Sequence, residues 1–355
     1  MGKRTFSHNF NSGTKRLDMN YGKLWKIIIF TLLISLSSTV LLLADEVEDI
    51  LKYSFDSGIR ANLEGIKESK IYTSTQIYTF VTREVYQEPD FMYIEYINPP
   101  RVRGRILIDD GKRRIEYIPT TGKIRVTPSF FSSQIKEKRE KNLKVLLKNF
   151  EISQLYEEQI LGRPVYTISL SPKGISTPLL KIWIDKKTYF TLRKEKYNLN
   201  GEPISLFYYK KIQFNKYFPR KRFYQELPSL PQNPETHPFR TYYSLEEIKR
   251  KINFPLSLPE YFPHSYVFQE AELMGDRKTV KLIYTNGIDI VVLFQRPRID
   301  VAMRYHRELM FRGMKMRFRE GIYGNTLVWS SSGKTFVLIG ELPLDEMLKI
   351  ARSMK

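Results

Sequence analysis

The chain has 355 residues, which is enough for about two domains that each bury a core. Its hydrophobic content of 42% excludes a disordered chain, and its formal net charge of +20 makes it strongly basic. The absence of cysteine excludes disulfides, thiol chemistry and attachment through a lipid-modified cysteine.

The first 43 residues have the pattern of an export or anchoring segment. Residues 1–26 carry six lysines and arginines against one acid, Asp18, and residues 27–43 form an uncharged apolar run. Such a run is near the lower length limit for a transmembrane helix, and its basic flank places residues 1–26 in the cytoplasm. A cleaved signal peptide fits the same pattern. Either way, we expect the chain from Ala44 onward to be extracytoplasmic, in the periplasm or at the cell surface.

The exported part remains basic, because residues 1–26 account for only +5 of the net charge. Outside the cytoplasm this charge favours a membrane surface or an acidic envelope polymer, and we expect no nucleic acid partner. A lysine-rich composition without a specific partner is the alternative.

The predicted elements after the apolar run are one helix and then strands. Apolar residues at spacings of three and four predict a helix over residues 45–66. Strands are predicted next, and the period-two alternation is clearest on either side of the Asp110-Gly111 turn. These strands are Ile71–Tyr86, Phe91–Ile97, Gly104–Asp109, Arg113–Pro119 and Lys123–Thr127.

A basic amphipathic helix is predicted over Gln134–Phe150, either packed on a sheet or lying on a membrane surface. Strands resume at 164–172, 179–185, 191–215 and 222–226, and Asn200-Gly201 divides the third of these into a hairpin. The fold class predicted for residues 45–226 is therefore α+β, with a large antiparallel sheet and two helical interruptions.

Residues 227–243 are predicted to be a stiff proline-rich linker, because four prolines disfavour both helix and ladder pairing. Residues 244–355 are predicted to form a smaller α+β domain. A capping box of Ser244 and Glu247 opens its first helix. The remaining predicted elements are strands at 266–273, 278–285 and 288–295, a helix at 300–312, strands at 315–322, 326–331 and 334–340, and a helix at 343–354.

No catalytic or metal-binding pattern is visible. Four histidines are present, and none has a second histidine or a carboxylate at metal-ligand spacing. Asp109-Asp110-Gly111 is interpreted as a hairpin turn, since further calcium ligands do not follow. We therefore expect no enzyme, no cofactor and no metal; an exported hydrolase would need carboxylates that converge in a cleft.

The stretch "INPPRVRGRILIDDGKRRIEYIPTTGKI" resembles the LolA-like lipoprotein-carrier superfamily. A proline-bearing strand end leads into a G-x-x-x-I-x-D-G hairpin and then an aromatic-x-P strand end, formed here by Pro99, Pro100, Gly104, Ile108, Asp110, Gly111, Tyr117 and Pro119. "KIWIDKKTYFTLRKEKYNLNGEPISLFYYKKIQFN" is similar to a W-x-D-x-x-T segment followed by an Asn-Gly hairpin in that family. The resemblance covers roughly residues 45–226.

The second unit resembles the small C-terminal domain of sigma-E regulatory proteins of the RseB/MucB type, through "LPEYFPHSYVF" and "SSGKTFVLIGELPLDEMLKIARSM". The resemblance implies a half-open β-barrel whose concave face, partly covered by helices, receives acyl chains or an apolar peptide. It also implies a C-terminal domain that docks on an anti-sigma factor, and it offers no catalytic residues.

Seven apolar residues are the candidate ligand-binding set. They are Met92, Ile94, Tyr96, Ile106, Ile108, Ile115 and Tyr117. The leading hypothesis is a sensor of lipid or lipoprotein acyl chains that regulates a membrane partner. A lipid or lipoprotein carrier and a module that binds acidic polymer are the alternatives, and an ordinary closed core would show the same pattern.

Overall fold

The computed structural model describes residues 46–55, 61–228, 235–236, 241–263, 266–299, 303, 307–322 and 324–354. The predicted anchor or signal peptide at 27–43 and the basic segment before it lie outside these residues. Among the residues described, no helix is long and apolar enough to cross a membrane. From Ile50 onward the chain forms one compact unit that contains two β-sheets.

The larger sheet has twelve strands in the order β12-β6-β5-β4-β3-β2-β1-β11-β10-β9-β8-β7. Its neighbours pair antiparallel, except for the parallel pair of β12 with β6. The strands are β1 Leu63–Tyr72, β2 Ile77–Gln87, β3 Phe91–Asn98, β4 Ile106–Asp109, β5 Arg113–Ile118, β6 Lys123–Pro128, β7 Phe150–Ile160, β8 Arg163–Pro172, β9 Leu180–Asp185, β10 Thr191–Tyr197, β11 Pro203–Phe214 and β12 Glu235–Thr236. The predicted antiparallel α+β fold is confirmed at this level.

The smaller sheet has eight strands in the order β13-β14-β15-β16-β20-β19-β18-β17. They are β13 Tyr242–Tyr243, β14 Val267–Leu273, β15 Val280–Thr285, β16 Ile290–Pro297, β17 Arg307–Phe311, β18 Met314–Arg319, β19 Asn325–Ser331 and β20 Lys334–Gly340. The helices are α1 at residues 46–55, α2 Ser133–Asn149, α3 Arg220–Gln225, α4 Leu245–Lys251 and α5 Leu344–Arg352. Ile248 of α4 and Met347 of α5 are fully buried against this sheet and close its core.

The predicted turns and cap are confirmed. Gly111 and Gly201 have positive φ angles at the two predicted hairpin turns, and Gly287 has one at the turn between β15 and β16, a conformation that glycine adopts at little cost. The Ser244 side chain accepts a hydrogen bond from the Glu247 amide, and the Glu247 carboxylate accepts one from the Ser244 amide.

Two predictions near the start of the large sheet are wrong. Residues 46–55 are helical, but the predicted helix does not continue to residue 66, because β1 begins at Leu63 and pairs with β2 and β11 on its two sides. The predicted single strand Ile71–Tyr86 is instead the end of β1, a turn and β2. In that turn the Thr73 amide donates to the Gln76 carbonyl at 3.1 Å.

Three further predictions are corrected by the pairing of the chain. The predicted strand at 222–226 lies mostly in α3, whose Phe223 is fully buried. The predicted helix at 300–312 is strand β17 over Arg307–Phe311, where it pairs with β18. Within the predicted linker, Glu235–Thr236 pairs with β6, so the prolines do not exclude a ladder there.

Strand β7 was not predicted at all. Its sequence, FEISQLYEEQI, is rich in glutamate and carries a register shift between Ile152 and Gln154. The shift breaks the period-two pattern on which a strand prediction depends.

Candidate functional site

The large sheet has two faces, which the strand pairing identifies. Residues directly opposite each other in an antiparallel pair lie on the same face. Leu63 is opposite both Tyr86 and Phe214, and Tyr86 is opposite Met92, so these residues share one face, here called the inner face. Tyr93 is opposite Ile108, and both lie on the other face, here called the outer face.

The sheet curls with its inner face concave. Phe190, between β9 and β10, contacts the ring of Tyr86 on β2 at 5.6 Å between centroids. It also contacts Tyr209 and Phe214 on β11, at 5.5 and 6.1 Å. Strands β10 and β2 are three strand spacings apart, which in a flat sheet is about 14 Å. The contact of Phe190 with Tyr86 therefore brings the β9–β10 turn toward β2, as a sheet that curves toward its inner face allows.

The seven residues predicted from the sequence do not lie on one face. Met92, Ile94 and Tyr96 are on the inner face, through the pair of Tyr86 with Met92. The other four, Ile106, Ile108, Ile115 and Tyr117, are on the outer face. A single groove in one face of the sheet therefore cannot be lined by all seven.

Helix α3 covers the outer face beside these strands. The Phe223 ring lies 4.7 Å from the Tyr93 ring and 5.4 Å from the Phe91 ring. Ile106 and Ile108 belong to the same buried cluster, and Tyr117 packs against it. This part of the outer face is a closed core.

The inner face carries a buried polar cluster around Glu84, which is 1% exposed. The Glu84 carboxylate forms an ion pair with Lys67 and accepts hydrogen bonds from the Tyr209 hydroxyl at 2.6 Å and the Thr82 hydroxyl at 3.0 Å. The Tyr86 hydroxyl donates to it at 3.3 Å. The cluster thus connects the adjacent strands β2, β1 and β11.

The cluster is suited to holding strands rather than to acid–base chemistry. Burial alone would raise the pKa of Glu84, but the Lys67 ammonium and the hydroxyl donors outweigh it and hold the pKa below its usual value. Burial, together with the Glu84 charge, raises the pKa of both Tyr86 and Tyr209 well above the usual value. The carboxylate is therefore ionised and engaged, and the phenols stay protonated.

A cleft of about 730 Å³ lies where the curved sheet meets the second sheet domain. Two elements of the large sheet form one wall. They are the end of β1 with the following turn, which contributes Ile71 and Tyr72, and the β10–β11 hairpin, which contributes Ile204. Its other wall is formed by Phe318, residues 320–322, 324 and 325, and residues 341–344. The volume is in the range of pockets that hold small ligands.

A second cavity of about 430 Å³ adjoins the first, since Ser205 and Glu341 line both. Strand β10 contributes Lys194 and Lys196 to it, and the second domain contributes Asp289. The ammonium of Lys196 bonds to both Asp289 and Glu341, and so connects the large sheet to the second domain.

Other polar contacts join the turn after β1 and helix α2 to the second sheet domain. The Ser74 hydroxyl donates to Glu320 at 2.5 Å, and the Lys138 ammonium of α2 donates to Glu270 at 2.8 Å. The Asn149 side chain donates to the carbonyl of Asn286 at 3.1 Å. These contacts connect the turn after β1 and helix α2 to the second sheet domain.

None of the seven predicted residues lines either cavity. Lys194 and Lys196 were not singled out from the sequence, although they stand in period two with Leu192, which is fully buried. Lysines spaced by two from a buried apolar residue on a strand face the same side as that residue. This spacing could have indicated from the sequence that both lysines lie on a covered face.

The described residues contain no group of three or more His, Asp or Glu side chains that could hold a metal ion. The arrangement of the site is that of a binding cleft: curved apolar walls, a few convergent polar groups and an interdomain position.

Two family models match parts of this chain. Residues 105–227 match the MucB/RseB N-terminal domain, and residues 257–354 match a domain of unknown function, DUF4367. The two matches fall on the large sheet with α3 and on the second sheet domain.

Known proteins are similar to this chain at low identity. An uncharacterised protein of Methanocaldococcus jannaschii is 21% identical over 222 residues, which is 60% of this chain and 64% of that protein. The structure of the Pseudomonas aeruginosa MucA/MucB complex matches with a TM-score of 0.57 and 11% identity, over 87% of this chain and 98% of that one. A LolA superfamily protein of Nitrosomonas europaea matches with a TM-score of 0.26 and 10% identity, over 49% of this chain and 96% of that one.

Proposed function

Because the chain has an RseB-like fold followed by a DUF4367 domain, we propose that it is a non-enzymatic binding protein of the cell envelope. It acts on the extracytoplasmic side of the membrane, takes up an acyl chain or another apolar ligand, and regulates a membrane protein partner. The basic charge and the apolar run at 27–43 agree with work at a membrane surface.

The observation that carries the proposal is the 730 Å³ cleft between the large sheet and the second sheet domain. Apolar side chains from both sides line it, among them Ile71, Ile204, Phe318 and Leu342. Each methylene that leaves water for such a wall contributes about 0.8 kcal/mol. A chain of ten methylenes would gain roughly 8 kcal/mol before the cost of binding is subtracted.

The inner face of the large sheet continues from the cleft. Along β1, Ile71 at the cleft shares this face with Ser69 and Lys67, and Phe80 lies opposite Ser69. The Phe80 ring contacts Tyr96 at 6.4 Å between centroids. Of the predicted set, the proposal therefore keeps Met92, Ile94 and Tyr96 as residues toward which a bound chain runs.

The similarity to a complex of two proteins also supports a protein as the regulated partner. The similar structure from Pseudomonas aeruginosa is a complex of MucB with MucA. We propose a corresponding membrane partner for this chain, of the anti-sigma factor kind, that docks on the second sheet domain. Ligand in the cleft would then change docking, because the cleft lies between that domain and the large sheet.

Native mass spectrometry tests the ligand. The full chain, solubilised from the membranes of a lipid-containing host, is expected to retain an acyl species that organic solvent removes. Ile71→Asp places a charge in the cleft wall and should abolish the bound species. The matched control is Ile77→Asp, which changes an isoleucine that is 58% exposed on the next strand and should retain it.

Two results would contradict the proposal. One is a folded wild-type chain that carries no apolar ligand and takes none up from lipid vesicles. The other is a bound species that Ile71→Asp and Ile77→Asp retain equally, with unchanged thermal unfolding. Transfer of the ligand between two vesicle populations by a freely diffusing protein would instead favour the carrier function.

A further inference from the structure

The wall of the smaller interdomain cavity contains an unusual lysine, Lys194. Lys194 lines that cavity, and its ammonium forms no hydrogen bond or ion pair within the part of the chain that the structure describes. It lies on the inner face of the sheet, opposite Phe207 on one side and Ile182 on the other. A lysine that loses hydration in a cavity without a direct bond to a carboxylate is rare, because its charge is only partly compensated.

The neighbouring lysine differs in this respect. Lys196 lies on the same face about 7 Å along the strand. Its ammonium is held by Asp289 and Glu341, and its side chain is 9% exposed. The two carboxylates of the cavity wall are thus engaged with Lys196, which leaves Lys194 as the positive end of the cavity. Burial, and then the charge of Lys196, lower the pKa of Lys194, and together they outweigh the charges of Asp289 and Glu341, which raise it.

We infer that Lys194 is an anion-binding residue and that it holds the carboxylate or phosphate of an amphiphilic ligand in the smaller cavity. The inference depends on the proposed function, because the apolar part of the same ligand would occupy the adjoining 730 Å³ cleft or the inner face beside Phe207. The Ser205 side chain lines both cavities and can donate a second hydrogen bond to the anion.

The charges select the ligand. An anion near Lys194 replaces the lost hydration of its ammonium through a charge-assisted hydrogen bond. A cationic headgroup beside Lys194 would be repelled by its ammonium, while Asp289 and Glu341 of the same wall are already paired with Lys196. A neutral amphiphile gains the apolar contacts alone, so it should bind more weakly than an anionic one of the same length.

The test compares two probes of equal chain length, decanoate and decanol, by isothermal titration calorimetry on the full chain in detergent. Wild type should bind decanoate about 10- to 100-fold more tightly than decanol. Lys194→Met should lose this preference, while its affinity for decanol stays equal to that of wild type. Lys194→Arg should retain the preference for decanoate. The matched control Lys211→Met changes an exposed lysine on β11 and should behave as wild type. Dihexanoylphosphatidylglycerol, in a parallel titration, distinguishes a phospholipid headgroup from a fatty-acid carboxylate.

A second readout does not depend on a variant. Acetylation of lysines by an active ester, followed by peptide mass spectrometry, should show that decanoate protects Lys194 and that decanol does not. Equal binding of decanoate by wild type and Lys194→Met, or equal acetylation of Lys194 with both probes, would overturn the inference and leave the proposed function standing. Failure of wild type to bind either probe would overturn the proposed function, and the inference with it.

Discussion

Replacement of Lys196 by methionine tests the contact between the large sheet and the second domain. The change keeps an unbranched side chain that is one atom shorter and removes a cation that bonds to Asp289 and Glu341. Burial alone would lower the pKa of Lys196, but the two carboxylates outweigh it and raise that pKa above its usual value. The pairing therefore stabilises the folded state at neutral pH.

The magnitude follows from how exposed each partner is. The side chains of Lys196 and Asp289 are 9% and 15% exposed, so this pair counts as buried, and the loss of one partner costs about 3–5 kcal/mol. The Glu341 side chain is 41% exposed, so its share is at most about 1 kcal/mol. Because Asp289 keeps some access to water, we expect a total near 3 kcal/mol.

Hydrogen exchange measures this loss where it should occur. The free energy of opening at the 286–290 turn and in β10 should fall by about 3 kcal/mol in Lys196→Met, and that of α5 should change little. In the double variant with Asp289→Asn, most of the loss should be recovered, because no buried charge is left unpaired. The wild-type contribution should persist up to about pH 10.5 and disappear as the pH rises through the higher pKa of the folded state. A loss below about 1 kcal/mol at the turn would refute this reasoning.

Three further predictions concern other contacts. Glu84→Gln should lower the free energy of urea unfolding by about 3 kcal/mol at pH 7, because it leaves Lys67 unpaired. The difference from wild type should shrink as the pH falls below about 4.5 and through the lower native pKa of Glu84. A difference independent of pH would contradict the assignment. Gly287→Ala should lower the free energy of opening of α2, measured by hydrogen exchange, by at least about 2 kcal/mol. The reason is that φ is +99° and the added Cβ would lie 2.4 Å from the backbone of Leu146. Unchanged exchange would show that the contact is absent. Phe223→Ala should lower the stability of the large sheet domain by about 3–5 kcal/mol in thermal unfolding, whereas a loss under 1 kcal/mol would mean that α3 does not close the outer face.

Turn chemistry made most of the fold predictable. Asn200-Gly201, Asn286-Gly287 and Asp110-Gly111 each mark a hairpin that the structure contains, since few residues other than glycine tolerate the positive φ of these turns. The errors occur where pairing with distant strands outweighs a local pattern. Leu63 and Ile66 have helical spacing, yet β1 is held between β2 and β11, and β17 is held by β18.

The site was less predictable, because it depends on register. Period two correctly grouped Met92 with Ile94, and Ile106 with Ile108. Whether two such groups share a face depends on the number of residues in the connection between their strands, and a change of one residue reverses the answer. The connection from Asn98 to Arg105 places the groups on opposite faces. The cavities lie between elements far apart in sequence, such as Ser74 and Glu320, which no local pattern brings together.

Photo-crosslinking of a bound acyl chain tests the central claim most directly. A diazirine-bearing fatty acid would be bound to the full chain in its membrane, irradiated, and located by peptide mass spectrometry. The proposed function predicts labels at residues 71–74, 203–207, 318–322, 324 and 325, which excess unlabelled decanoate removes. Labels confined to β5 and α3, or spread over the surface without competition, would contradict ligand binding in the interdomain cleft.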